Sequence, residues 1–189
     1  MKTMRFFTLI EILAVITIIV ILSLIGYGSY SYATNAVKTA RSQALLKNLE
    51  AGLESFYTKN GYYPASTAGS FNAIVVTLGT DNTVGKINFG VTELDDNASK
   101  ELFDSFAKAV DLEALKQNRD SSGRLTDAWG GVIYYRAPGV FKSGRYDLIS
   151  AGPDGTFSSD NASDPNTVTD LGKYHDADGN PLCDDLFNF

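Results

Sequence analysis

The sequence has little of the chemistry on which most enzymes and metal sites depend. Its 189 residues include one cysteine, Cys183, and one histidine, His175. A single thiol cannot form an intramolecular disulfide, so the redox state of the compartment stays open. One thiol and one imidazole do not make a zinc site, which normally has four protein ligands when it is structural. We expect Cys183 to be a small buried residue and His175 to lie on the surface.

Sequence motifs of several catalytic and binding classes are also missing. The chain has no G-x-S-x-G, no H-E-x-x-H and no phosphate-cradling P-loop. It therefore gives no support to an enzyme of the hydrolase, zinc protease or nucleotide-hydrolysing types, and we expect a protein that is not an enzyme. The formal net charge is −6, and no stripe of basic and aromatic residues is present. Nucleic acid is accordingly not an expected partner.

A long hydrophobic run stands near the start of the chain. Nineteen of the twenty residues from Phe6 to Ile25 are uncharged, and Glu11 is the exception. About 20 apolar residues span a bilayer, whereas the apolar region of a secretory signal peptide is about 7–15 residues long. Lys2 and Arg5 precede the run, so the amino end should stay cytoplasmic and the rest should be translocated. A signal peptide, a permanent single-pass anchor and a processed membrane segment are the three interpretations.

Glu11 needs an explanation, because an acidic side chain costs about 2.5–3.5 kcal/mol at the centre of a bilayer on insertion scales. The cost falls towards the end of a span, but a tolerated carboxylate still requires a partner. No basic residue lies on the same helical face within the run, and Arg5 is six residues away. The pattern therefore predicts a partner on another molecule.

Helical periodicity continues beyond the hydrophobic run. Leu45, Leu49, Leu53 and either Phe56 or Tyr57 recur at steps of three and four residues, and we expect alanines 40 and 44 to extend this stripe upstream. Asn60-Gly61 is a stop signal. We predict one helix from about Thr8 to Lys59, with a transmembrane half over residues 7–29 and an amphipathic half over 30–60. A membrane helix followed by a separate amphipathic helix is the alternative.

The remainder, residues 61–189, predicts a small α+β domain. The pattern favours short strands at Ala73–Leu78 and Lys86–Phe89, a second helix over Ala98–Lys116, and an antiparallel hairpin of Val132–Arg136 with Tyr146–Ser150. The expected fold class is therefore α+β, with a long N-terminal α-helix packed on a domain that contains a second helix and an antiparallel β-sheet.

The C-terminal segment is strongly acidic. From Asp154 to Phe189 there are eight aspartates, no glutamate and one lysine, a charge of −7 that leaves +1 for the rest of the chain. The aspartates are interleaved with Gly, Asn and Ser, as in loops that supply oxygen ligands, and calcium takes about 6–8 such ligands. The end of the segment, Leu186-Phe187-Asn188-Phe189, is apolar and predicts docking back on the domain.

The sequence Phe7-Thr8-Leu9-Ile10-Glu11 before a long aliphatic helix resembles the amino-terminal signature of the type IV pilins and pseudopilins. Three further segments resemble the major pseudopilin of type II secretion systems: residues 60–64, 127–135 and 146–155. The resemblance implies that residues 1–6 are a leader, which a prepilin peptidase removes between Phe6 and Phe7 before it methylates the new amine. Glu11 would then pair with the amine of Phe7 on a neighbouring subunit. The family usually has glycine before the cut, where this chain has Phe6.

The resemblance also implies a calcium ion in the C-terminal loop, over residues 151–189. The positions that match the family's ligands are the carbonyl of Ala151, the carboxylate of Asp154, and Asp184 or Asp185. Asp176, Asp178 and Asn180 match the opening of an EF-hand-like loop and are weaker candidates, because Pro181 and Phe187 replace the glycine and glutamate that such a loop requires.

The expected protein is thus a structural subunit of a type II secretion pseudopilus or of a pilus-like filament. Its expected partners are copies of itself, the prepilin peptidase, an inner-membrane assembly platform, minor pseudopilins and membrane lipid. The precursor would lie in a bacterial inner membrane with a periplasmic domain. The alternative is a membrane-anchored calcium-binding module that never polymerises, which Phe6 favours.

Overall fold

The computed structural model describes residues 8–90, 96–168, 170–174, 183 and 185–188. The contacts divide the chain into two units, Met1–Val37 and Lys38–Phe189. Helix α1 spans Leu9–Asn60 without interruption. This confirms the predicted helix to within one residue at each end, and it excludes the alternative of two separate helices.

The first unit consists, in its described part, of Thr8 and of α1 as far as Val37. Every side chain described from Thr8 to Leu24 is exposed. Within the described ranges, no helix has the combined length and apolar character needed to cross a membrane.

The part of α1 that belongs to the second unit is amphipathic. Leu45, Leu49, Leu53 and Phe56 are all buried in one core cluster, as their helical spacing predicts. Tyr57 is 42% exposed, so Phe56 and not Tyr57 completes the stripe.

The predicted upstream extension of this stripe is wrong, because Ala40 and Ala44 are exposed. Ser42 is buried in their place, and its hydroxyl accepts a hydrogen bond from the backbone N–H of Ala128 at 2.9 Å. Ser42 lies seven residues, close to two helical turns, before Leu49 and therefore shares its face. The helical phase, not the apolar character, decides which residue meets the domain.

Two further α-helices, six strands and three 3₁₀ helices of three residues each are described after α1. In chain order the α-helices and strands are β1 (Asn72–Ala73), β2 (Val75–Leu78), β3 (Val84–Asn88), α2 (Asp96–Ala109), α3 (Leu112–Gln117), β4 (Ile133–Arg136), β5 (Asp147–Ser150) and β6 (Leu186–Phe187). Helix α2 packs on α1 at Gly52, where an added Cβ would lie only 2.5 Å from the Phe106 ring. The absence of a side chain at Gly52 thus lets this buried ring contact the helix directly.

The predicted second helix over Ala98–Lys116 is two helices in the structure. Asp111 causes the division, since its carboxylate accepts hydrogen bonds from the backbone N–H groups of Glu113 at 3.0 Å and Ala114 at 3.3 Å. An aspartate in this position begins a new helix, and α3 therefore starts where a single periodic pattern predicted continuation.

The strands form two antiparallel sheets, one of β2 and β3 and one in the order β1–β4–β5–β6. The predicted hairpin is confirmed, with Ile133 opposite Ser150 and Arg136 opposite Asp147. Strand β6 pairs with β5, so that Leu186 lies opposite Ser150. The predicted docking of the apolar C-terminal residues is therefore confirmed, in the form of a strand added to the sheet.

A buried ion pair fixes the loop of this hairpin. Arg136 and Asp147 are both buried, and Nη2 of Arg136 donates to Asp147 at 2.6 Å. Asp147 also accepts the backbone N–H groups of Val140, Phe141 and Lys142 at 2.8–3.1 Å. Buried charges are tolerated when they are paired and hydrogen-bonded, and this pair meets both conditions.

Candidate functional site

The candidate assembly site begins at the N-terminal end of α1. Phe6 and Phe7, the predicted cleavage residues, lie outside the described residues. Thr8 and Glu11 are described, and they form reciprocal hydrogen bonds. The Glu11 carboxylate accepts from the backbone N–H and from the hydroxyl of Thr8, both at 2.8 Å. The Thr8 hydroxyl oxygen accepts the backbone N–H of Glu11 at 3.4 Å.

This reciprocal pattern is a capping box, which satisfies two of the backbone donors that a helix start leaves unpaired. Glu11 thus has a local structural role that its motif did not predict. The signal was present in the sequence, since Thr-x-x-Glu before an apolar run is the usual form of this motif.

The apolar surface next to this cap is extensive. The large side chains of α1 between Leu9 and Leu24 are all between 51% and 85% exposed. Because they occupy almost every position of consecutive turns, they cover the helix on all sides and not along one stripe. An exposed apolar surface of this extent marks a site of contact with another protein or with lipid.

The second candidate site is the acidic C-terminal segment. Of the proposed calcium ligands, Ala151, Asp154 and Asp185 are described, and Asp176, Asp178, Asn180 and Asp184 lie outside the described residues. His175, which we expected on the surface, is also outside them. Cys183, which we expected to be buried, is half-buried and packs against the smaller of the two core clusters.

Asp154 is exposed and organises its own turn. One carboxylate oxygen accepts the backbone N–H of Thr156 at 2.8 Å, and the other accepts the Thr156 hydroxyl at 2.7 Å. The flanking glycines Gly152 and Gly155 have φ values of +66° and +74°, which are accessible to glycine at low cost. Ala151, whose carbonyl is the second candidate, is buried in the smaller core cluster.

Asp185, near the other end of the acidic segment, contacts the residues just after this turn. It is buried, and its Oδ2 accepts the backbone N–H of Ser158 at 2.5 Å. The structure therefore brings Asp185 to the segment that follows Asp154, although 30 residues separate the two in sequence. The residue that Asp185 contacts there is Ser158, which the sequence did not single out.

These residues supply oxygen donors only, which is the donor type that calcium prefers. Two carboxylates and one carbonyl are fewer than the six to eight oxygens that calcium takes, so further ligands would have to come from elsewhere. Within the described part of the chain, no group of three or more His, Cys, Asp and Glu side chains is arranged to hold a metal ion.

Comparisons with known proteins do not extend this picture: no family model matches the chain, and neither a curated protein nor a solved structure does so.

Proposed function

We propose that this chain is a structural subunit of a filament of the type IV pilin class, either a secretion pseudopilus or a surface pilus. The precursor would be held in the inner membrane by the first part of α1, with its α+β domain on the periplasmic side. After cleavage, subunits would leave the membrane and pack their apolar helices together.

The observation that carries this proposal is the contrast within α1. Its later turns bury their apolar residues against their own domain, whereas the side chains from Leu9 to Leu24 are exposed. Burying one large apolar side chain is worth about 1.5–3 kcal/mol, so a run of this kind favours association strongly. Lipid would cover it in the precursor, and neighbouring copies would cover it in the filament.

Glu11 would set the position of each subunit relative to the next. Cleavage between Phe6 and Phe7 would create a charged amine immediately before Thr8, at the helix end where the Glu11 carboxylate lies. A carboxylate moved into the interior of a filament requires a charged partner. The amine of Phe7 on a neighbouring subunit would meet this requirement.

Mass spectrometry of the protein from its own membranes tests the processing step. We expect a chain that begins at Phe7 and carries one additional methyl group. A chain that begins at Met1 would contradict the processing, and it would favour the alternative of an anchored module that never polymerises.

Replacing Glu11 with alanine tests the pairing. We expect Glu11→Ala to insert into the membrane and to form no filaments, as measured by electron microscopy of sheared fractions. Thr8→Ala is the matched control, because it weakens the same capping box and keeps the carboxylate. Loss of filaments in both variants would mean that Glu11 acts only as a helix cap.

We further propose that calcium orders the C-terminal loop through Asp154, the carbonyl of Ala151 and Asp185, together with Asp184. The donor chemistry and the contact of Asp185 with Ser158 support this proposal. Asp176, Asp178 and Asn180 remain weaker candidates for the same ion or for a second one.

Thermal unfolding tests the calcium site. Asp154→Ala should lower the melting temperature in calcium but not in chelator, beyond the small loss of its turn. Asp170→Ala provides the control, since Asp170 accepts the N–H of Gly172 at 2.9 Å much as Asp154 accepts that of Thr156. If Asp154→Ala loses as much stability in chelator as in calcium, Asp154 is not a ligand.

A further inference from the structure

A cavity of about 340 Å³ lies between the C-terminal end of α1 and the loop that joins β4 to β5. Its wall contains three tyrosines, an arginine and small residues: Tyr57, Gly61, Tyr62, Tyr63, Pro138 and Arg145 are among them. The volume falls at the lower end of the range of about 300–1,000 Å³ that small-molecule sites occupy. All of these residues belong to the second unit.

The aromatic rings of the cavity are held in place by their neighbours. Tyr57 and Tyr63 stack with ring centroids 4.5 Å apart and an interplanar angle of 19°. Tyr63 also meets Tyr146 edge-on at 4.8 Å, and Tyr62 meets Phe56 edge-on at 5.5 Å. Rings fixed in this way lose little conformational entropy on binding a ligand.

The charged group of the cavity is neutralised by an ion pair, so the net charge at the site is close to zero. Arg145 lines the cavity and forms an ion pair with Glu54 behind it, and the Tyr63 hydroxyl donates to both carboxylate oxygens of Glu54 at 3.1 Å. Partial burial raises the pKa of Tyr63, so the hydroxyl keeps its proton. Among the described residues, none hydrogen-bonds the hydroxyls of Tyr57 and Tyr62, which remain available to a ligand.

This region also holds the exposed apolar surface of the domain. In the described part of the second unit, the large hydrophobic side chains that are exposed are Tyr57, Tyr62 and Val140. The first two line the cavity, and Val140 lies in the loop that forms its other wall. An aromatic surface concentrated at one place is typical of a binding site.

The chemistry of the cavity restricts its ligand. A phosphate or a carboxylate would need an unpaired cation, but Glu54 already offsets the charge of Arg145. A long acyl chain would need a deeper apolar cavity than three phenol rings and an ion pair provide. A neutral ring with one flat C–H face and a rim of hydroxyl groups meets both limits. It can stack on tyrosine and exchange hydrogen bonds with phenol and guanidinium groups.

We propose that this cavity is a binding site for the pyranose ring of a neutral saccharide, with Tyr57 and Tyr62 as the contact rings and their hydroxyls and Arg145 as hydrogen-bonding partners. The site is independent of the filament function, because it needs neither cleavage of the leader nor assembly.

Saturation-transfer NMR on the full chain tests the site. The protein would be held in a phosphocholine detergent, since a glucoside or maltoside head group would compete. Methyl β-D-glucopyranoside should receive saturation at its ring C–H groups. Sorbitol, which has hydroxyl groups but no rigid C–H face, should receive much less.

Substitutions of the tyrosines test whether the sugar binds in this cavity. Tyr57→Ala should weaken methyl glucoside binding by about tenfold, the order of a lost aromatic stacking contact, and Tyr57→Phe should weaken it less. Tyr32→Ala is the control, because Tyr32 is also an exposed tyrosine of α1, at 80% against 42% for Tyr57, and it lies outside the cavity. Tyr62→Ala repeats the test if Tyr57→Ala does not fold.

Three outcomes would overturn the proposal. They are equal transfer to sorbitol and glucoside, full binding in both Tyr57→Ala and Tyr62→Ala, and binding of a polyproline peptide in place of the sugar. The last outcome would assign the cavity to proline-rich segments, which also dock on aromatic-lined grooves. None of them bears on filament formation, which is measured separately.

Discussion

The earlier part of α1 is more apolar than the later part, and the large apolar side chains of the two parts differ in whether their own domain covers them. From Ser42 to Phe56, the large apolar residues follow one face and are buried against the domain. From Leu9 to Leu24, they occupy all faces and are exposed. A pattern with helical periodicity therefore specifies a partner within the chain, and a pattern without it specifies surroundings that cover every side.

Because of this difference, substitutions in the two parts of α1 should affect different properties of the protein. Substitutions in the later part should change the free energy of unfolding of the domain. Substitutions in the earlier part should leave that free energy unchanged and should affect the insertion or the assembly that we propose.

A pair of leucines provides the strongest test of the comparison. Leu49→Ala removes a fully buried side chain and should destabilise the domain by about 2–5 kcal/mol. Leu13→Ala, at a position 61% exposed, should change the unfolding free energy by less than about 0.5 kcal/mol. Denaturant unfolding of the full chain measures both. A large loss in Leu13→Ala would mean that the first part of α1 also packs on the domain.

The contact at Gly52 tests how closely the domain depends on α1. Gly52→Ala gains about 1 kcal/mol of helix propensity, but the new Cβ would overlap the buried Phe106 ring. Overpacking of a core costs about 1–3 kcal/mol, so we expect a net loss of stability. The loss should shrink when Phe106→Leu makes room, and an unchanged loss would place the strain elsewhere.

The smallest expected effect concerns the ion pair between α1 and α2. Lys59 and Glu101 are 3.7 Å apart, and both side chains are about half exposed. Exposed pairs contribute about 0.2–1 kcal/mol, so Glu101→Gln should lower the unfolding free energy by no more than that, and less in high salt. A loss as large as that of Leu49→Ala would show that charge, not packing, holds α2 on α1.

The sequence predicts the elements that a long run or a distinct composition defines. Helix α1 follows from its apolar run and the 3.6-residue spacing of its later part, and the hairpin of β4 and β5 follows from β-branched and aromatic residues. Both agree with the structure to within one residue at each end. The division between α2 and α3 was missed because Asp111 interrupts a pattern that reads as continuous. The capping role of Asp111 depends on local backbone hydrogen bonds that periodicity does not register.

Pairings between distant residues were harder to predict. Arg136 and Asp147 face each other in the hairpin, so an exact strand register would have revealed their ion pair, but the loop length left that register open. The contact of Asp185 with Ser158 joins residues 27 positions apart and has no local signature. Glu11 is the opposite case. Its capping motif with Thr8 is local in the sequence, but the sequence analysis predicts only a partner on another molecule.

The addition of β6 to the sheet has a consequence for how the domain is made. Strand β5 ends at Ser150, and its partner β6 begins at Leu186. While the chain is being synthesised, one edge of β5 must stay unpaired until about 36 further residues have emerged. An open strand edge is a template for the strands of other molecules. During that interval the nascent chain is therefore exposed to pairing with the wrong strand, and a chaperone that covers the edge of β5 would protect it.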